Sequence, residues 1–82
     1  MNPTRVYYVV FRKVKDRCIL LKHDETFEIN EVGAKIWELC SGERTEKEIT
    51  EEIAQYYSVP YQEAEKDVRE FLTDMRELGL IE

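Results

Sequence analysis

At 82 residues the chain has room for one domain spanning 1–82 and no deep substrate cavity, because a domain rarely needs fewer than about 50 residues and a second core would not fit. Hydrophobic residues at 43% exclude a disordered chain, and no apolar run approaches the roughly 18 residues of a membrane span. The net charge of −6 conceals an asymmetry: residues 1–22 hold Arg5, Arg12, Lys13, Lys15, Arg17 and Lys22 against Asp16 alone, a net of +5, which leaves −11 for the rest. Nucleic acid would have to bind that first segment or nothing, since phosphate contacts need clustered cations; the plainer reading is a solvated basic hairpin.

Val6 to Lys13 and Arg17 to His23 are rich in β-branched and aromatic residues and predict two strands joined by a tight turn at Lys15-Asp16. Neither strand alternates cleanly. Tyr7, Val9 and Phe11 point one way while Val6, Tyr8 and Val10 point the other, so both faces want cover: helices on one, and on the other strand twist, a second copy or a partner enzyme. A third short strand, Glu25 to Ile29, precedes Asn30, whose side chain suits the first unpaired amides of a helix from Glu31 to Cys40.

In that helix Val32, Ile36, Leu39 and Cys40 recur at helical spacing with Trp37 on the edge, and Gly42 supplies a left-handed stop. Gly33 in its first turn weakens a helix and therefore predicts close approach of a neighbouring element. Thr45 and Glu48 form a capping box for a second helix to Tyr57, with Ile49, Ile53, Tyr56 and Tyr57 inward. Ser58-Val59-Pro60 breaks it. A third helix runs from Tyr61 to Leu78 with Ala64, Val68, Phe71 and Met75 as the stripe centre and Leu72 and Leu78 on its shoulders; Gly79 ends it and lets Leu80 and Ile81 fold back. The order β-β-β-α-α-α segregates strands from helices, which is an α+β domain with an antiparallel sheet.

Groups for catalysis are scarce. His23 is the only histidine, and Cys18 and Cys40 are not at metal-ligand spacing, reading instead as small buried apolar residues. There is no phosphate-binding glycine loop, and no enzyme activity, metal or cofactor is expected. The acidic residues read as solvated helix faces with pairs such as Glu65 and Arg69. Trp37, Phe71, Tyr56 and Tyr57 fall on apolar helix faces, where core packing rather than base stacking accounts for them. With few cysteines and no charged-then-apolar N-terminal signal, a cytoplasmic protein is expected. What remains is the edge of the strand Glu25 to Ile29. If the third helix runs beside it, the two make a groove for an extended peptide.

The run Ile29-Asn-Glu-Val-Gly-Ala-Lys-Ile-Trp-Glu-Leu39, then Ser41-Gly-Glu-Arg-Thr45, Asp67-Val-Arg-Glu-Phe-Leu72 and Gly79-Leu-Ile81, resembles the PqqD-like family, the precursor-peptide (RiPP) recognition elements, from Thr26 to Ile81 with the preceding hairpin. The resemblance implies a winged-helix-like fold of three strands and three helices. It also implies a non-catalytic, free-standing protein that captures the leader segment of a ribosomally made precursor as an added strand and delivers it to a leader peptidase or a radical modifying enzyme. The backbone of Thr26, Phe27, Glu28 and Ile29 would pair with the leader, Val68, Leu72 and Met75 would supply apolar pockets, and Asp67, Arg69 and Arg76 would make polar contacts. The corner Asn30-Glu31-Val32-Gly33 would set the strand against the helix. Leu72→Arg is expected to weaken leader binding without unfolding the protein.

The run Phe27 to Trp37 most resembles members from lasso-peptide pathways; a peptide chaperone of pyrroloquinoline quinone biosynthesis is the alternative. Two further readings compete. A winged-helix DNA binder shares the fold, but residues 63–77 carry six carboxylates against Lys66, Arg69 and Arg76, a net of −3 that phosphate would repel. A dimerisation module would use the apolar sheet face. Neither nucleic acid nor membrane is expected as a partner.

Overall fold

The computed structural model describes residues 2–82. Two tight turns fold the basic first part into a meander of β1 (Val10–Val14), β2 (Arg17–Lys22) and β3 (Glu25–Ile29), in the order β1-β2-β3 and antiparallel throughout. The turns contain no glycine, so Lys15 and His23 take positive φ, 59° and 56°. Each such residue costs roughly 1–2 kcal/mol, which the flanking ladders must outweigh. Register puts Phe11, Leu20 and Phe27 side by side, then Lys13, Cys18 and Ile29, all on one face; Arg12, Ile19 and Glu28 line up on the other. The first face meets the helices: Leu20 and Cys18 are buried, and Phe27 and Ile29 pack partly against the core.

The first strand starts at Val10 rather than at Val6. Val6, expected to begin that strand, belongs instead with Thr4 and Arg5 to a short segment that pairs with the chain leaving α1 and α3. Thr4 bridges Ser41 and Arg5 bridges Ile81. The Arg5 amide donates to the Cys40 carbonyl (2.9 Å) and the Val6 amide to that of Leu80 (3.0 Å). The chain then turns at Tyr7-Tyr8, closed by the Val9 amide on the Val6 carbonyl (3.1 Å). A segment rich in Val and Tyr satisfies its backbone wherever an open partner lies, and here two helix exits offer one.

Three helices follow: α1 (Glu31–Leu39), α2 (Glu46–Tyr57) and α3 (Tyr61–Glu77). The Gly33 amide donates to Asn30 Oδ1 at 2.7 Å, starting α1. The capping box of α2 is complete: the Glu48 amide donates to Thr45 Oγ1 (3.1 Å) and the Thr45 amide to Glu48 Oε1 (2.8 Å). Those bonds to the ionised form hold the Glu48 carboxyl below its usual range. At the end of α3 the Gly79 amide reaches the Arg76 carbonyl (3.1 Å) and the Leu80 amide that of Met75 (2.8 Å), a Schellman motif that turns Leu80 and Ile81 into the core.

Helix α1 stops differently from the expectation at Gly42. It ends at Leu39, where the Arg5 guanidinium donates to the carbonyls of Trp37 (2.9 Å) and Glu38 (2.7 Å), a cation on the negative end of the helix. Gly42 does adopt φ 87°, but its amide serves the N-terminal segment, donating to the Pro3 carbonyl at 3.0 Å. The core lies between sheet and helices, with Leu20, Ile36, Ile49, Ile53, Leu72 and Leu80 at its centre. Trp37, placed on the stripe's edge from the sequence, is buried, whereas Tyr56 is exposed, with the Lys35 ammonium 4.6 Å over its ring. Glu65 and Arg69 pair at 3.5 Å.

Candidate functional site

β3 pairs with β2 alone, so its outer backbone edge is open among the described residues. Thr26 and Glu28 are exposed, while Phe27 and Ile29 turn toward the core. Where β3 ends, Asn30 caps α1 and thereby aims the first turn of that helix at α3. Gly33 is the reason they come so close. A Cβ at this position would lie 2.9 Å from Phe71 Cε1, so only glycine lets the Phe71 ring rest on the α1 backbone.

This contact shapes a cavity of about 280 Å³ beside the end of β3, lined by Asn30, Val32, Gly33, Ile36, Asp67, Glu70, Phe71 and Asp74. Its floor is apolar, from Val32, Ile36 and Phe71. Its rim is acidic: Asp67, Glu70 and Asp74 are all exposed, and the nearby β3 carries two further exposed carboxylates, Glu25 and Glu28, outside the cavity lining. Glu28 is partly offset by Arg17 at 3.7 Å, a solvent-exposed pair of small energetic weight. No lysine or arginine lines the cavity. The arrangement suits an extended chain that offers main-chain hydrogen bonds to β3, an apolar side chain to the pocket and a cation to its rim. Among the described residues no group of His, Cys, Asp and Glu could hold a metal ion.

The helix residues assigned from the sequence divide unevenly. Asp67 lines the cavity. Val68, Leu72 and Met75 do not: they are 0%, 1% and 6% exposed, packed in the core, and have no surface for a ligand. The buried line of α3 is Ala64, Val68, Leu72 and Met75, with Phe71 on the shoulder. Three of the four residues expected at the stripe centre are there, and Leu72 and Phe71, about 100° apart, exchange centre and shoulder. Leu72→Arg would therefore bury a charge and unfold the protein rather than report on a groove.

Arg69 and Arg76 also fall away from the cavity. Arg69 pairs with Glu46 (3.7 Å) and Glu65 (3.5 Å) on the flank that faces α2, and Arg76, seven residues on, shares that flank. Val32, Glu70, Phe71 and Asp74 line the candidate cavity, over buried Ile36, and were not assigned to the site from the sequence. One signal for them was legible: a glycine in the first turn of a helix announces a close neighbour, and the neighbour is Phe71.

Comparisons with known proteins bear on the family and the fold. A family model described as coenzyme PQQ synthesis protein D (PqqD) matches residues 17–81. The PqqA binding protein of Bradyrhizobium diazoefficiens is 28% identical over 82 residues, covering 85% of this chain and 80% of its own length. Among solved structures, TbiB1 in complex with the TbiA(β) leader peptide is 30% identical with a TM-score of 0.80, over 96% of this chain and 94% of that one. Two others share the fold at lower identity. The PqqD truncation of Methylobacterium extorquens PqqCD, a stand-alone RiPP recognition element, is 21% identical with a TM-score of 0.84, over 98% of this chain and 87% of that one. Lasso peptide synthetase B1 complexed with the leader peptide is 17% identical with a TM-score of 0.84, over 100% and 99%. With a three-strand, three-helix α+β fold, an open β3 edge and a family match over most of its length, the chain belongs to the PqqD family.

Proposed function

We propose that this protein is a non-catalytic RiPP recognition element that captures the leader segment of a ribosomally synthesised precursor peptide as a fourth strand on β3 and delivers it to a modifying enzyme or leader peptidase. The observation that carries the reading is the open edge of β3 beside the Phe71 pocket. TbiB1, solved with a leader peptide, supports it at 30% identity. The acidic rim adds a preference: the leader presents an apolar side chain to the half-buried Val32 and Phe71 and a lysine or arginine toward Asp67, Glu70 or Asp74. Two free buried thiols, Cys18 and Cys40, fit a reducing cytoplasm. We place it in a lasso-peptide pathway, on the resemblance of residues 27–37 and the fold shared with lasso peptide synthetase B1. The PqqA binding protein, 28% identical, keeps pyrroloquinoline quinone biosynthesis as the second setting, and the genes beside this one decide between them.

The test is an amide-resolved NMR titration with the leader segment of the precursor encoded beside the gene. Amides of residues 26–29 and 67–74 are expected to shift. Phe71→Ala is expected to weaken binding about tenfold or more, roughly 1.4 kcal/mol, with the fold retained by circular dichroism. Shifts confined to other elements, or equal affinity for the folded variant, would refute the site. A gel shift with duplex DNA at physiological salt would favour the nucleic-acid reading instead, against the acidic character of α3.

A further inference from the structure

The sheet has a second open edge, and its chemistry is the inverse of the first. Among the described residues β1 pairs with β2 alone, and all five of its residues are exposed. Exposed large apolar residues concentrate here: Tyr7 at 93%, Tyr8 at 42%, Val10 at 45%, Phe11 at 40% and Val14 at 51%. Interleaved with them are Arg12, Lys13 and Lys15, none of which forms an ion pair among the described residues. Beneath this edge opens a concavity of about 950 Å³ between β1 and α1, with Phe11, Trp37, Tyr56 and Tyr57 in its walls beside Lys13 and Lys35, and Glu31 and Glu38 on its α1 side.

We propose that the β1 edge and the groove beneath it dock a protein partner through an extended segment of alternating acidic and apolar residues, the partner being the enzyme that acts on the captured peptide. The partner's role rests on the leader-delivery reading; the surface itself does not. Three observations select this occupant. A strand edge offers main-chain donors and acceptors that only another backbone satisfies along its length. On one face of the strand Arg12 wants a carboxylate opposite it, and on the other Phe11, at the mouth of the groove, wants an apolar residue, so the segment's side chains alternate in kind. A second copy of this chain fits poorly, because antiparallel pairing of β1 with its own copy in full register sets Arg12 against Arg12, and like charges directly opposite destabilise a ladder. The molecule then carries opposite charge at its two edges, β3 and α3 acidic for the leader and β1 basic for the enzyme, so neither ligand competes for the other's site.

The experiment uses the full chain, labelled for amide NMR, and two blocked heptapeptides, Glu-Val-Glu-Phe-Glu-Val-Glu and its counterpart with lysine at every glutamate. The acidic peptide is expected to shift the amides of residues 10–14 and leave 26–29 unmoved. The lysine peptide is expected to bind there at least fivefold more weakly. The double substitution Arg12→Glu and Lys13→Glu, at two exposed positions, is expected to weaken the acidic peptide at least fivefold while leaving leader affinity at β3 unchanged. Absence of shifts at β1, equal binding of both peptides, a dimeric mass in sedimentation, or shifts at Arg12 and Lys13 with single-stranded DNA but not with peptide would each overturn the proposal. Loss of leader binding with the β1 shifts intact would sink the delivery reading alone.

Discussion

Gly33 holds the site together, and the reason is visible in one distance. A methyl group there would stand 2.9 Å from Phe71 Cε1 and 3.2 Å from Asn30 Oδ1, so both the pocket wall and the cap of α1 would have to give. Alanine gains about 1 kcal/mol of helix propensity over glycine, while overpacking costs about 1–3 kcal/mol. Gly33→Ala is therefore expected to destabilise the wild-type protein by about 1 kcal/mol in urea unfolding and to stabilise the Phe71→Ala variant, where propensity acts with less opposition. Equal effects in the two backgrounds would show that Phe71 does not set the constraint. Cys40 gives a pH signature at the same scale. Burial pushes its thiol up to about 11 from 9.0, against the smaller opposing pull of Arg5 and Arg76. A thiol whose folded pKa is raised contributes stability that is full below pH 9 and is lost as pH rises toward 11. The loss should be on the order of 2 kcal/mol between those values, and Cys40→Ala, though less stable at pH 7, should lack that share of the fall in chemical unfolding at each pH. Burial likewise raises Tyr57, which adds to alkaline loss with the same sign.

At the scale of elements, caps fix where helices start, and the residues after them fix where they point. Asn30 and the Thr45–Glu48 box were legible in the sequence because each cap is a local exchange between a side chain and an amide three residues away. The end of α2 is less economical. Ser58 takes φ 54° so that its amide reaches the Gln55 carbonyl (3.3 Å) and the Val59 amide that of Ala54 (3.0 Å). Glycine adopts that conformation without a Cβ penalty. Ser58→Gly is expected to raise stability by about 0.5–1 kcal/mol in thermal unfolding, with leader affinity unchanged because Ser58 lies outside the groove; a lower Tm would mean the serine side chain contributes more than its backbone costs. The exchange on α3 shows what element-level reading cannot fix. Leu72 and Phe71 are adjacent on one apolar arc, and which of them enters the core depends on whether a glycine in another helix leaves room for a ring.

At the scale of the whole molecule, the sheet is three strands wide and, among the described residues, open at both edges, so an added strand would extend it. Leader capture should then stabilise the fold by mass action. At a free leader concentration of 100 Kd the gain is about 2.7 kcal/mol, which for a chain of this size raises Tm by roughly 10–20 °C. A thermal scan with and without leader checks this, and the Phe71→Ala variant should show a clearly smaller rise.

The sequence by itself determined the element order, the N-terminal caps of α1 and α2, the Gly79 end of α3, and the family, because these rest on short-range patterns: helical spacing and contacts within a turn. The strand β3, from Glu25 to Ile29, was read to the residue. Only the tertiary structure decided that Val6 pairs at a helix exit and that Tyr7 and Tyr8 turn instead of extending β1, that Val68, Leu72 and Met75 lie in the core, and that Phe71 with Asp67, Glu70 and Asp74 lines the cavity beside α1. Those outcomes depend on contacts between residues far apart in the chain, where an apolar side chain or a free backbone edge takes whichever partner the fold brings nearest.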